Sequence, residues 1–115
     1  MMKKWKNHYF ESSCYKTEEF KAFAKDLKKY IVKNLPPSSK LVNWSVGHFD
    51  VSGFIKQGDQ YVYFSVGDVR IYGWYDKVLF RVAAHDKDYK GGRNNFTCLD
   101  YFHSSIQTLF NRKAS

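Results

Sequence analysis

Two adjacent prolines, Pro36 and Pro37, divide the sequence into parts with different hydrophobic periods. Before them, apolar side chains recur at spacings of three and four residues, which is typical of an amphipathic helix. After them, valine and aromatic residues alternate with polar ones, as in a β-strand. Neither proline offers an amide hydrogen, and the residue before a proline avoids helical geometry, so a helix that precedes this point must end here.

The first predicted helix spans residues 17–35. Thr17 fits the N-cap, and Glu18 and Glu19 complement the positive end of the helix dipole. The apolar stripe of this helix comprises Phe20, Phe23, Ala24, Leu27, Tyr30, Ile31 and Leu35. Residues 1–16 mix basic and aromatic side chains without a clean period, so we expect a flexible arm, an edge strand or a helix extension there.

Residues 41–84 are predicted to form an antiparallel sheet of three or four strands in meander order, because the turn signals between its segments are close together. In 41–55 the apolar positions change phase at Gly47-His48, which indicates a β-bulge or a bend. Before that point one face is expected to carry Val42, Trp44 and Val46. Later strands are predicted at 60–66, 69–75 and 78–84.

A second helix is predicted over residues 97–112, with Thr97 as its N-cap and Asp100 completing a short-armed capping box. The chain has 115 residues, of which 43% are hydrophobic, enough for one core of ordinary size. We therefore predict a single α+β domain over residues 1–115, in which both helices cover the same face of the sheet.

The formal charge of +8 and the pI near 9.5 favour a polyanionic partner, either nucleic acid or an acidic protein surface. One face of the first helix concentrates this charge and could contact phosphates, although lysines also serve simply as a solvated outer face. We call this set the lysine face; its members are Lys21, Lys25, Lys28, Lys29 and Lys33.

Aromatic residues make up 19% of the chain, more than two helix stripes and one sheet face can obviously bury. If valine and phenylalanine face the helices, the other side of the sheet could stack bases or anchor a protein partner. Alternatively, the N-terminal arm or a second copy of the chain in a homodimer covers it. The residues predicted on that side are Tyr61, Tyr63, Arg70, Tyr72 and Trp74.

The segment HDKDYKGGRNN, residues 85–95, contains two glycines that could bring amides close to an anion. It lacks the spacing of a phosphate-binding loop, and its asparagines suit an ordinary long turn. We favour an exposed turn that presents Tyr89 and Arg93 to a partner over a phosphate site.

The sequence offers little chemistry for an enzyme. Neither Cys14 nor Cys98 belongs to a CxxC pair, so we expect no zinc site, no cofactor and reduced thiols in a cytoplasm. No apolar run indicates secretion or a membrane span. A metal-dependent nuclease centred on His85 with Asp86 and Asp88, or on His48 with Asp50, stays a minor alternative.

The run VRIYGWYDKVLFRVAAHDKDYKGGRNNFTCLDYF, residues 69–102, resembles the C-terminal part of small proteins encoded on phages and conjugative elements of Gram-positive bacteria. Proteins from such elements include anti-CRISPR and antirestriction inhibitors. The resemblance therefore implies a non-enzymatic binding protein that acts on a nucleoprotein target, most concretely as an inhibitor of a host nuclease. The alternative is direct nucleic-acid binding without inhibition.

The order of helix, strands and helix is shared with the double-stranded RNA-binding domain. That family has a glycine-proline and histidine loop between its first strands, where this chain has KQGD at residues 56–59. It also begins its second helix with a lysine cluster, where this chain has TCLDYF at 97–102. The shared order is an analogy of fold and carries no function.

Overall fold

The computed structural model describes residues 2, 5, 8–10, 14–67 and 74–114 of the chain. This part contains two α-helices and a five-stranded antiparallel sheet, which confirms the predicted α+β class. Helix α1 (Glu18–Lys33) comes first and helix α2 (Phe102–Ala114) last. Between them, the sheet consists of β1 (Ser39–Val46), β2 (Val51–Gln57), β3 (Gln60–Val66), β4 (Val78–Ala83) and β5 (Asn95–Thr97).

Helix α1 begins after the predicted N-cap Thr17 and ends before Pro36, as the sequence predicted. The side-chain oxygen of Thr17 accepts a hydrogen bond from the Phe20 amide at 3.2 Å, which confirms the predicted N-cap. At the other end Asn34 caps the last turn, and its side-chain amide donates to the carbonyl oxygen of Tyr30 at 2.8 Å. The helix therefore stops just before the two prolines.

The strands lie in the order β1 to β5, so every neighbour in the sheet is also a neighbour in the sequence. The meander is confirmed, but the prediction of three or four strands was wrong because Asn95–Thr97 adds a fifth. This strand pairs with β4, and Thr97 stands opposite Val78. Three residues are too few to show an alternating pattern, so this strand could not be recognised from the sequence.

At Gly47-His48, where a β-bulge or a bend was predicted within 41–55, the chain reverses direction and the segment forms two strands, β1 and β2. A β-bulge that the sequence did not predict lies within β1. The Gly47 amide donates to the carbonyl oxygen of Asp50 at 2.9 Å, and Val46 pairs with Val51 across the turn. The register of β1 shifts between Val42 and Ser45, where Asn43 has a φ of 51°. A turn and a bulge both move apolar residues by one position, so the sequence could not separate them.

The predicted strand at 69–75 is also revised. Residues 69–73 lie outside the described part of the chain, whereas Trp74–Asp76 forms a 3-10 turn. A second 3-10 turn, Leu99–Tyr101, precedes α2, so this helix begins at Phe102 and not near Thr97. Thr97 is held in the sheet by its pairing with β4 and is not the N-cap.

One side of the sheet, the inner face, packs with both helices into a single core. The rings of Phe64 on β3 and Phe102 on α2 have centroids 5.1 Å apart in an edge-to-face arrangement. The buried sheet residues of this cluster are Val51, Ile55, Val62, Phe64, Val66, Val78 and Phe80. The helices contribute Phe20, Phe23, Ala24, Leu27, Ile31, Phe102, Ile106, Leu109 and Phe110.

The described residues of the N-terminal arm, for which a flexible arm, an edge strand or a helix extension was expected, belong to the same core. Met2, Trp5 and Phe10 are all buried. Trp5 donates from Nε1 to Oδ2 of Asp26 on α1 at 2.9 Å. The ring of Phe10 lies 5.4 Å from that of Phe23, also on α1. The described residues of the arm therefore cover one side of α1, whereas the lysine face is exposed.

Within the described residues, neither helix is long and apolar enough to cross a membrane.

Candidate nucleic-acid interface

The lysine face lies on the solvent side of α1, as its spacing predicted. All five of its side chains are exposed. Lys21 forms an ion pair with Glu18 at 3.3 Å, one turn earlier on the same helix. Among the described residues, no carboxylate pairs with any of the other four, Lys25, Lys28, Lys29 and Lys33. Their charges are therefore available to an external anion.

A groove runs between α1 and β1 beside the lysine face. One part has a volume of about 600 Å³ and lies between Lys28 and Val32 on the helix and Lys40 and Trp44 on the strand. A second part of about 460 Å³ extends toward Tyr15 and also includes Lys28 and Trp44. We refer to the two parts together as the basic groove. It carries lysines on its helix wall and has aromatic side chains beside them.

Trp44 is directed into the basic groove by the β-bulge. Strict alternation from Leu41, whose partner Ile55 lies on the inner face, would place Asn43 inward and Trp44 outward. The extra residue reverses this, so Trp44 packs toward Phe64 with ring centroids 6.2 Å apart. Val42 precedes the bulge and stays on the other side of the sheet, opposite Phe54, so its predicted common face with Trp44 was wrong.

The exposed part of Trp44 is close to the lysine face. Lys28 Nζ lies 5.9 Å from the centroid of the Trp44 ring, within the range of a cation–π contact. The sequence did not single out Trp44 as a functional residue, because the alternation only placed it on one strand face with Val42 and Val46. The one available signal was Asn43, an asparagine inside a strand, which tolerates the positive φ that a bulge requires.

The side of the sheet away from the helices, the outer face, carries the predicted Tyr61 and Tyr63. Both are half-buried there, and Tyr63 stands between Phe54 on β2 and Arg81 on β4. Phe54 is fully buried, and the Arg81 guanidinium lies 4.7 Å above the Tyr63 ring. Of the other residues predicted on this face, Arg70, Tyr72 and the side chain of Trp74 lie outside the described part of the chain.

Residues 84–94 fold back over the outer face, and we call them the cover loop. The ring of Tyr89 contacts those of Phe54 and Tyr63, with centroids 5.2 and 5.7 Å away. Asn43 donates from Nδ2 to the carbonyl oxygen of Asp86 at 2.6 Å and lies 3.2 Å from the Tyr89 hydroxyl. Part of the outer face is thus covered by this loop, and the N-terminal arm lies elsewhere. Tyr89 keeps about half of its surface exposed, at 49%.

The amides of the cover loop already hold an anion, which is a carboxylate of the chain itself. Asp88 accepts hydrogen bonds from the amides of Ala84 at 2.8 Å, Gly91 at 2.8 Å and Lys90 at 3.2 Å. These bonds, led by the one from Ala84, lower the pKa of the Asp88 carboxyl. The loop therefore has the ordinary turn structure that the sequence favoured, and Arg93 is exposed beside it.

No three histidine, cysteine, aspartate or glutamate side chains of the described residues are arranged to hold a metal ion. His48 packs edge-to-face on Tyr15, with ring centroids 4.4 Å apart. His85 accepts a hydrogen bond at Nδ1 from the Lys87 amide at 3.1 Å. Each histidine thus contacts a neighbouring group of the chain, and the Asp88 carboxylate accepts hydrogen bonds from backbone amides.

A cluster that the sequence did not predict joins the ends of the two helices. The Tyr75 hydroxyl donates to Asp100, and His103 bonds the carbonyl oxygen of Asn34. Burial, followed by the hydrogen bond and the charge of Asp100, raises the pKa of Tyr75. The phenol therefore stays protonated at neutral pH and acts as a structural donor.

Comparison of the chain with protein-family models, with curated proteins and with solved structures found no match. The resemblance of residues 69–102 to proteins of mobile elements accordingly stays a prediction.

Proposed function

We propose that this chain is a non-enzymatic binding protein of a mobile element that contacts the phosphate backbone of nucleic acid, free or within a nucleoprotein complex. The observation that carries the proposal is the lysine face, four of whose members have no carboxylate partner among the described residues. Tyr63, in contrast, is partly engaged by the cover loop. This difference favours the lysine face over the outer face as the surface that meets the target.

The expected affinity is electrostatic and therefore depends on salt. Binding to phosphates releases condensed counterions, so the affinity falls as salt rises. For each tenfold increase in salt, the logarithm of the affinity falls by about 0.7 per phosphate contact on a single strand and by about 0.9 on a duplex. Contacts from Lys25, Lys28, Lys29 and Lys33 would give a slope of about −3 to −4.

The test combines charge reversal with a matched control. In the triple variant Lys25→Glu, Lys28→Glu, Lys29→Glu, binding of labelled DNA or RNA at low salt is expected to disappear. The control Lys77→Glu, Lys87→Glu, Lys90→Glu makes the same change of net charge at exposed positions outside α1. It should retain most of the affinity and the wild-type salt slope. Equal loss of affinity in both variants would show that only net charge matters and would contradict the assignment of binding to the lysine face.

A second candidate is inhibition of a host nuclease such as a CRISPR effector, by steric block or by competition for phosphate contacts. It is favoured by exposed apolar side chains that phosphate contacts would not use. Phe96 pairs with Leu79 on the outer face and is 66% exposed, and Tyr101 is 65% exposed. Such side chains are typical anchors of protein interfaces.

The two candidates are separated by what the purified protein binds. An inhibitor should co-purify with the effector and reduce its cleavage rate, and Phe96→Ser should weaken both effects while leaving any binding to free nucleic acid unchanged. Failure to bind any effector, together with binding of free nucleic acid, would contradict the inhibitor hypothesis and support direct nucleic-acid binding.

A further inference from the structure

We infer that the basic groove receives a single strand of nucleic acid, with an unpaired base against Trp44 and the backbone along the lysines of α1. The inference rests on the proposed function and specifies the form of nucleic acid. It combines the charge of α1 on one wall of the basic groove with the partly exposed indole of Trp44 beside it.

The position of Trp44 argues for a single strand. In a duplex the bases are stacked on one another, and only their edges are accessible from the grooves. A recessed indole could not reach the face of a paired base. A single strand can turn a base out, and stacking on an aromatic side chain is the common way in which proteins hold it.

The charges lie where the backbone of such a strand would run. Lys28 projects from α1 on the helix wall of the basic groove. Along the helix, Lys21 to Lys33 spans about 18 Å at ~1.5 Å per residue, enough for several nucleotides. A strand placed in the groove would thus have the cations of α1 along its backbone, beside the base that stacks on Trp44.

Lys28 has a second role in this arrangement. Without nucleic acid, its ammonium lies 5.9 Å from the Trp44 ring. An incoming phosphate is a better partner for this ammonium than a partly solvated ring. Transfer of Lys28 to the phosphate would uncover the indole face for the base. Tyr15, which is 38% exposed and lines the same groove, offers a further aromatic surface toward the start of α1.

The experiment measures the affinity of the full chain for three ligands of equal length: a single-stranded oligothymidylate, its abasic counterpart with the same phosphates, and a blunt duplex. Wild-type protein should bind the oligothymidylate about 5- to 150-fold more tightly than the abasic strand, the range expected for one stacked base. It should also prefer the oligothymidylate to the duplex. Trp44→Leu keeps an apolar side chain beside Phe64 and removes the stacking surface. This variant should lose most of the discrimination between the first two ligands.

The outcomes distinguish the inference from the function on which it rests. Equal binding of the oligothymidylate and its abasic counterpart by wild-type protein overturns the single-strand inference, even if Trp44→Leu does not fold. This result leaves the proposed phosphate binding intact. Discrimination that persists in a folded Trp44→Leu protein also overturns it. Absence of binding to all three ligands at low salt overturns this inference and also the binding of free DNA on which it rests.

Discussion

Replacement of Phe10 by alanine tests whether the N-terminal arm belongs to the core. The ring of Phe10 is 2% exposed and lies within 5.4 to 5.8 Å of the rings of Trp5, Phe20 and Phe23. Removal of a buried phenylalanine ring costs about 3–5 kcal/mol when the cavity cannot collapse. A chain of 115 residues has a total stability of about 6–17 kcal/mol, so this loss is a large fraction of it.

The free energy of unfolding is measured by urea denaturation, and the midpoint of thermal unfolding should fall by about 12–20 °C. Tyr9→Ala is the matched control, because Tyr9 is the next residue along the arm and is 49% exposed. Its effect should stay within about 0.5 kcal/mol. A loss below about 1 kcal/mol for Phe10→Ala, with an unchanged slope of unfolding against urea, would refute the packing of the arm against α1.

Two further predictions concern the cover loop. Gly92 has a φ of 83°, and a Cβ there would lie 2.3 Å from the carbonyl oxygen of Val82, so Gly92→Ala should lower the thermal midpoint. Gly67→Ala, whose new Cβ would meet nothing nearer than 3.8 Å, should leave it almost unchanged, and equal effects would contradict the close approach. The pKa of the Asp88 carboxyl is lower in the folded protein than in the unfolded chain. Asp88 therefore stabilises the fold at pH values above the unfolded-state pKa, and this stabilisation is lost as the pH falls through the folded-state pKa. Urea titrations at neutral and acid pH should show that Asp88→Asn destabilises the protein mainly at neutral pH; an equal loss at both would contradict this assignment.

The features that the sequence predicted correctly depend on residues close together in the chain. Helix α1, its cap at Thr17 and the meander follow from periodicity, a capping side chain and short turns. The lysine face followed from the same helical period. Each of these signals is complete within about twenty residues, so no knowledge of the tertiary structure was needed.

The errors arose where distant residues decide the structure. The cover loop contacts β1 through a hydrogen bond between Asn43 and Tyr89, which are 46 positions apart. No local sequence pattern predicts such a contact. Thr97 looked like a helix cap because its own neighbours suit one, but pairing with Val78 holds it in the sheet. Trp44 was placed on the same face as Val42 because the sequence showed no bulge between the two residues.

The meander order of the sheet has a consequence for how the chain folds during synthesis. All strand pairs join consecutive strands, so each hairpin closes over a short stretch of chain and can form early. The contact of Phe64 with Phe102, and that of Asn34 with His103 at a separation of 69 positions, must wait until α2 is synthesised. Until then, part of the inner face stays open to solvent and to other nascent chains. Docking of α2 is therefore the step that removes this apolar surface from solvent.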